Sequence, residues 1–451
     1  MSITIAPLAI LVAILLTILH RTQRDRVGRS RMILWLALTS GGFVSVGDQT
    51  GDVHLGLSQK LQVALLAGLG LLGLLTSRPL RNDMTRATKA LCVYGMILFA
   101  STIWSVSASV TLLKAIEWNI RLVLVVTLVR RYQDRRSALL GLWAYSSSVV
   151  LSSLIGLAVF GRRALLLVSG TYRLRGVAPS THPNTLAIVA VVAMFTSLYY
   201  LSIDEISPTI RSRVRLVAVL SLVVAGLTRS RLSFVIGICL VGIVLMLRSK
   251  PKLRPAFLGL VGLLTVVIIQ VQNRLVSLLT RGQNADQLTT LTGRTNYWVP
   301  GFRYARENIF LGHGFFAGHR IGLMERLPAG LAIVSNIDNM WLENLINVGI
   351  LGTIPIVVAV TAGTRVVYDS IRSGQETFAR YVPQVGLIAF LLLASVYNPS
   401  INTLGFAGLS LAFVLMLPAG RVRVFDSPET GPATALGVGP RPSGAATALR
   451  S

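Results

Sequence analysis

Three stretches of the chain gather arginines with few acidic residues beside them. Arg162, Arg163, Arg173 and Arg175 lie within 161–184, Arg229 and Arg231 in the short segment 228–231, and Arg274, Arg281, Arg294, Arg303, Arg306, Arg320 and Arg326 within 273–338. A guanidinium is a planar fork of donors that matches phosphate oxygens, so this residue type in this density points to an anionic ligand. The long stretch also holds Gly293-Arg294-Thr295-Asn296-Tyr297-Trp298, then an amphipathic run from Val299 to Asn308, then a glycine turn Leu311-Gly312-His313-Gly314-Phe315. It closes on Asp338-Asn339, directly ahead of an apolar run that contains Gly349-Ile350-Leu351-Gly352. A carboxylate there is either a helix cap, worth typically ~1 kcal/mol, or a group that takes or orients a proton on a substrate hydroxyl. His313 and His319 share the stretch as further proton carriers, and a lone loop histidine is also compatible with plain surface. No His, Asp and Glu set has metal-ligand spacing, so neither a metal nor another cofactor is expected.

The elements that position these residues are membrane spans. Hydrophobic residues make up 53% of the 451, charged residues only 13%, and the mean hydropathy is +0.67. A soluble chain of this length needs more charge to cover its surface. Lys and Arg number 43 against 17 Asp and Glu, a net charge of +26. In a soluble protein that excess suggests nucleic acid. Here it sits in the short gaps between apolar runs and reads as topology signalling, so no nucleic-acid partner is expected. Cys92 and Cys239 lie inside apolar runs without redox or metal spacing and read as packing residues. The first apolar run lacks a basic start and ends in Arg21, so it is not expected to be a cleavable signal.

Apolar runs of spanning length fall at 3–20, 32–47, 61–76, 90–105, 111–129, 138–160, 185–202, 214–228, 232–247, 256–272, 339–363, 384–399 and 403–419. The fold class is therefore all-α, a polytopic bundle of about 12–13 transmembrane helices within 1–424, with one large extracytoplasmic loop at 273–338. The pair 214–247 is short enough to cross only in part. Alternate gaps carry the basic clusters, such as Arg21 to Arg31, Arg78 to Lys89 and Arg130 to Arg136, and these belong inside by the positive-inside rule. The gaps 106–110 and 400–402 hold no Lys or Arg, which puts the three arginine-rich stretches outside. Residues 425–451 are rich in Pro, Gly, Ala, Ser and Thr and read as a disordered cytoplasmic tail. Lys114, Glu117 and Arg121 stand at helical spacing inside the fifth span, either as a functional cluster or as an ion group that holds two helices together.

The ordered set of motifs resembles the O-antigen ligase and O-antigen polymerase superfamily of bacterial membrane glycosyltransferases. The features are Gly293-Arg294 with Trp298, Gly312-His313-Gly314, Asp338-Asn339 before Trp341-Leu342, and Gly349 with Gly352. Arg175-Gly176 with His182-Pro183-Asn184 resembles the family's Arg-Gly and Pro-Asn segment, and Thr228-Arg229-Ser230-Arg231 its Ser-Arg turn between two spans. The motifs cover about 170 to 350 of the chain.

That resemblance implies a GT-C-like helical fold in the bacterial cytoplasmic membrane, with the lipid bilayer as its surroundings. It implies an undecaprenyl-pyrophosphate-linked oligosaccharide as donor, a sugar hydroxyl as glycan acceptor, and transfer on the outer face without a metal. It assigns pyrophosphate contacts to Arg231, Arg294 and Arg175, with Arg229 and Arg173 as near neighbours able to take the same part. Acceptor-side work falls to Asp338 and Asn339, with His313 as the other candidate. Ligases of the family carry His where this chain has Asp338, which tilts the expectation toward a polymerase. Tyr297, Trp298, Phe315, Phe316 and Trp341 are expected either to stack on sugar rings or to anchor the loop at the interface. The rival reading is a transporter or flippase of an anionic lipid-linked substrate, which predicts internal repeats and broken mid-membrane helices.

Overall fold

The computed structural model describes residues 45–46, 53–54, 84–131, 135–168, 171–177, 180–203, 206–249, 255, 295–327, 337–372, 378–397 and 406–417. The spans expected at 3–20, 61–76 and 256–272, most of 32–47, Arg294 and the tail 425–451 lie outside them. Ten α-helices are found among the described residues: α1 Arg86–Ala100, α2 Ala108–Arg131, α3 Arg135–Phe160, α4 Pro183–Leu201, α5 Pro208–Leu227, α6 Arg231–Arg248, α7 Thr295–Glu307, α8 Met340–Arg372, α9 Phe378–Ser395 and α10 Phe406–Met416. Four described segments are long and apolar enough to cross a membrane: Arg86–Trp104, Ala138–Ala164, Pro183–Leu201 and Met340–Arg372. They coincide with the spans expected at 90–105, 138–160, 185–202 and 339–363. The protein is an all-α polytopic membrane protein.

The bundle is organised around α4, whose sequence from Leu186 to Tyr200 is buried almost throughout. An α-helix apolar on every side belongs in a core rather than on a surface. It packs against α3, α5, α6 and α9. Helices meet closely where a glycine faces a large side chain: a Cβ on Gly237 of α6 would lie 2.6 Å from Val191 of α4. The serines of α3 return their hydroxyls to their own helix, as Ser146 to Leu142 O at 2.8 Å and Ser153 to Val149 O at 2.7 Å. That satisfies polar groups where no water is at hand. The helical pair expected at 214–247 is α5 and α6, of 20 and 18 residues. At 1.5 Å per residue these rise about 30 and 27 Å, enough to cross most of a hydrocarbon core.

Two features depart from the sequence expectation. The segment 161–184 holds β-hairpins rather than plain loop. Leu165–Val168 (β3) pairs antiparallel with Thr171–Leu174 (β4), and Gly176–Val177 (β5) with Ser180–Thr181 (β6). A third pair joins Ser45–Val46 (β1) to Val53–His54 (β2), so the expected span 32–47 ends in extended chain.

The second is that α8 is broken. Gly349 has φ 62° and ψ −160°, which divides α8 into a half-helix 340–348 and a long helix 350–372. The segment 308–314 enters the break and bonds to the backbone on both sides. Ile350 N donates to Ile309 O at 2.8 Å and Leu351 N to Phe310 O at 3.1 Å, while His313 N reaches Ile346 O at 2.8 Å and Gly314 N reaches Asn347 O at 2.8 Å. Across the break, Asn344 Nδ2 donates to Thr353 Oγ1 at 2.8 Å, and that hydroxyl donates to Gly349 O at 2.8 Å. The Gly312-x-Gly314 turn and Gly349 are thus two halves of one joint: a Cβ on Gly349 would sit 2.4 Å from Phe310 O, and one on Gly312 2.5 Å from the backbone of Asn347. Gly349→Ala is expected to cost about 1–3 kcal/mol in backbone strain alone, before the clash. A fall in the thermal midpoint of the detergent-solubilised protein measures it, and an unchanged midpoint would dismiss the joint.

Candidate functional site

The motif segments meet at one end of the bundle, joined by side-chain hydrogen bonds. Arg173 of β4 is 4% exposed and bridges two of them. Its Nε donates to Thr228 O at 2.8 Å, in the turn that carries Arg229 and Arg231, and its Nη2 to Asn184 Oδ1 at 2.5 Å. Asn184 belongs to the start of α4, where His182 is the N-cap, its Nδ1 accepting from Asn184 N at 3.3 Å, and Pro183 takes the first helical position. Proline is at home there because the first helical N–H has no partner in any case.

A second set of bonds runs through the end of α9. Trp341 Nε1 donates to Ser395 Oγ at 3.0 Å, and Tyr397 OH donates to Ser233 Oγ at 3.4 Å, in the first turn of α6. The start of α8, where Asp338 and Asn339 stand, is therefore linked to the start of α6, where Arg231 stands. A third tie is Trp298 Nε1 to Ile337 O at 3.2 Å, which fixes the first turn of α7 beside Asp338. The α1–α2 turn joins the same end: Val106 N donates to His313 O at 3.0 Å and Phe315 N to Ser101 Oγ at 3.1 Å.

Each expected site residue but one has a place in the fold. Arg294 lies outside the described residues, and Arg231 is the first residue of α6. Arg229 is exposed in the turn with φ 51°. Arg175 is half-exposed and its Nη2 donates to Arg163 O at 3.2 Å. Arg173 gives Nε and Nη2 to protein atoms, which makes it a holder of the turn. At the start of α8 the cap is Asn339, not Asp338: Asn339 Oδ1 accepts from Trp341 N and Leu342 N, each at 3.1 Å. Asp338 precedes it, half-buried, in the left-handed region at φ 51°.

Comparison with known protein families bears on the same segments. Residues 216–357 match the family profile described as O-antigen ligase. The chain carries an O-antigen ligase domain. The matched stretch takes in the Ser-Arg turn, α7, the Gly-His-Gly turn, Asp338-Asn339 and the break at Gly349. Its function is of the O-antigen ligase type, that of a glycosyltransferase-like membrane enzyme. No curated protein matches the chain at a significant level.

Within the O-antigen ligase domain the two loop histidines are structural in their contacts. His313 lies at the far end of the half-helix from Asp338, since its N–H is bonded to Ile346 O. From Met340 to Ile346 six helical steps already rise about 9 Å, and Asp338 lies two residues beyond Met340. Its ring stacks on Tyr304 at 3.9 Å, and Nε2 is 3.0 Å from Tyr304 O. A carbonyl only accepts, so Nε2 carries the proton and Nδ1 the lone pair. Burial lowers the His313 pKa, against the pull of the Tyr304 carbonyl. His319 is 2% exposed, and its backbone N–H and Nδ1 both reach Asn347 Oδ1 at 3.0 Å. Burial pushes its pKa down to about 4, so it is neutral in the fold.

Sequence reasoning did not find Asn347, Tyr304, Ser233 or Tyr397. Asn347 alone had a signal, a polar residue in an otherwise apolar run.

The His319 shift has a consequence for stability. The folded pKa lies below the ordinary 6.5, so as pH falls through 6.5 the unfolded chain binds a proton that the fold refuses until about 4. Stability is unaffected above pH 6.5 and declines between about 6.5 and about 4, by up to about 1.4 kcal/mol per unit. Thermal midpoints across that range should fall with pH, and His319→Gln should flatten the slope. A slope unchanged in His319→Gln would assign it to other groups.

The fifth-span charges form a buried triad on α2. Glu117 bridges Lys114 Nζ and Arg121 Nη2, each at 2.9 Å. Lys114 Nζ also stands 4.8 Å over the Phe316 ring, which lies edge-on to His319 at 5.3 Å. The triad thus holds α2 to the segment after the glycine turn. The aromatic residues of the loop mostly face inward: Phe315 is 2% exposed, and Tyr297 and Trp298 pack against a small core of Tyr304, Leu323, Leu342 and Ile346.

Proposed function

We propose that the protein transfers a glycan from an undecaprenyl-pyrophosphate carrier to a sugar hydroxyl, as a surface-polysaccharide polymerase or O-antigen-type ligase. The work is done on the outer face of the bacterial cytoplasmic membrane. The observation that supports this best is the convergence of the Arg229–Arg231 turn, the start of α7 and the Asp338 end of α8 at one end of the bundle. Arg231, Arg294 and Arg175 take the pyrophosphate oxygens, with Arg229 beside them. The N-terminus of α6 adds its own partial positive charge. Arg173 holds that turn from behind. The acceptor hydroxyl lies against Asp338. Its oxygen attacks the anomeric carbon as the bond from that carbon to the phosphate oxygen breaks. The hydroxyl proton passes to Asp338, and undecaprenyl pyrophosphate leaves. A carboxylate is a weak base, suited to taking the proton late, from an oxygen already forming its bond to the anomeric carbon. Asn339 keeps the half-helix capped so that Asp338 stays in position. The tail 425–451 takes no part in this chemistry and is read as a cytoplasmic extension of the domain 1–424.

One observation speaks for the transporter reading, the broken helix α8. Transporters use such breaks to coordinate substrate or ions with freed backbone groups. Here Ile350 N, Leu351 N and the carbonyls of Ile346 and Asn347 are bonded to the 309–314 segment, which favours a structural joint.

The deciding experiment is turnover by the purified protein in nanodiscs with an undecaprenyl-pyrophosphate oligosaccharide, products being sized on a gel. A ladder of lengthening glycans marks a polymerase, and glycan moved to an added acceptor marks a ligase. Donor binding without turnover on any acceptor would overturn the transferase reading in favour of transport. Arg231→Ala and Arg294→Ala that both left synthesis untouched would overturn the pyrophosphate site.

A further inference from the structure

Helix α7 has an inner apolar face that packs on protein and an outer face of mixed apolar and arginine side chains that is exposed among the described residues. The inner face, with Gly301, Tyr304 and Ala305, packs on Leu342 and Ile346 of α8. At 100° per residue, Val299, Phe302, Arg303 and Arg306 fall on the opposite face within one third of a turn. Val299 is 56% exposed and Phe302 47%. The stripe continues past the end of the helix into Phe310, 70% exposed. Trp104 Nε1 donates to Leu311 O at 2.9 Å, which joins the stripe to the α1–α2 turn, where Ile103 is 87% exposed. Arg303 and Arg306 make no hydrogen bond or ion pair among the described residues. A water-facing helix would not carry Val and Phe at 299 and 302. Alternating aromatic, aliphatic and arginine side chains on one face is the pattern of a helix that lies in a bilayer surface.

We propose that the outer stripe of α7, extended by Phe310 and the α1–α2 turn, docks on the anionic headgroup layer of the bilayer. The occupant is the lipid surface itself. Ile103 lies in the last turn of the segment Arg86–Trp104, which is apolar enough to span, so the stripe is continuous with the membrane-facing side of the bundle. Phe310 and Phe302 enter the acyl boundary, and Arg303 and Arg306 take lipid phosphates. Because Trp298 ties α7 to Ile337, this docking sets the height of Asp338 above the bilayer. The inference needs only that the chain is a membrane protein and stands apart from the transfer chemistry.

The test uses the full-length protein in nanodiscs of phosphatidylcholine, with and without phosphatidylglycerol. A bimane label is placed through Phe310→Cys in a Cys92→Ala, Cys239→Ala background, and through Val299→Cys as a second reporter should the first variant fold poorly. Brominated acyl chains should quench the label and aqueous iodide should not. Bromine quenching should rise with phosphatidylglycerol, weaken with salt, and lose its dependence on lipid charge when Arg303→Gln and Arg306→Gln are combined. The insertion equilibrium should fall about fivefold per arginine. A label open to iodide and indifferent to phosphatidylglycerol overturns the proposal. So does a label indifferent to phosphatidylglycerol but shifted by the lipid-linked donor, since the stripe would then belong to the donor's path.

Discussion

Asp338→Asn is expected to lower turnover by about 10²–10⁴-fold, the range for loss of a positioned proton acceptor, while donor binding and the thermal midpoint stay as they were. The amide is the informative replacement because of the backbone. Asp338 stands at φ 51°, where Asp, Asn and His are the side chains best tolerated. Alanine there would add strain of about 1 kcal/mol and confuse a chemical loss with a structural one. The cap is no confounder either, since Asn339 and not Asp338 bonds the first N–H groups of α8. The same backbone tolerance bears on the departure from the ligase pattern. Histidine also accepts φ above zero, so Asp338→His should fold and keep measurable turnover, with a pH profile displaced upward toward the imidazole range. Full activity in Asp338→Asn would remove the carboxylate from the mechanism. The proton would then go to solvent.

What the sequence made legible was the order of parts rather than their joints. The spans at 90–105, 138–160, 185–202 and 339–363 could be read because twenty apolar residues leave a chain few alternatives in a bilayer. The amphipathic run from Val299 emerges as α7 because its period survives in the residues themselves. The break at Gly349 was not legible, because Leu345 to Ile356 is largely apolar and the partner that opens the helix, 308–314, is distant in sequence. Whether Asp338 caps the helix was left open by the sequence, and the cap is Asn339, a difference of one residue that propensity cannot resolve when both types cap well. The hairpins at 165–181 were hidden by the arginines, which read as loop charge while their neighbours alternate as strands. The parts of the triad on α2 were visible by spacing, but not that Lys114 reaches out of its own helix to Phe316.

Arg173→Ala should destabilise the protein by about 3 kcal/mol or more, because two charge-assisted bonds at about 1.5–3 kcal/mol each are lost from a buried site. The loss is structural first. Thr228 O and Asn184 Oδ1 lose their donor, and the turn that carries Arg229 and Arg231 is released from the start of α4. Donor affinity should therefore fall together with the thermal midpoint. A direct phosphate contact would behave differently, weakening donor binding while the midpoint held. Asn184→Ala separates the two further. It removes one of the clamp's acceptors without touching an arginine, so it should reproduce part of the loss in both readouts if Arg173 acts by holding. Should Asn184→Ala leave donor binding intact while Arg173→Ala abolishes it with no change in midpoint, Arg173 would be a ligand of the kind proposed for Arg231 and Arg175. The buried geometry argues for the first outcome: a guanidinium at 4% exposure, with Nε and Nη2 engaged by protein oxygens, is placed to fix the direction of its neighbours' side chains.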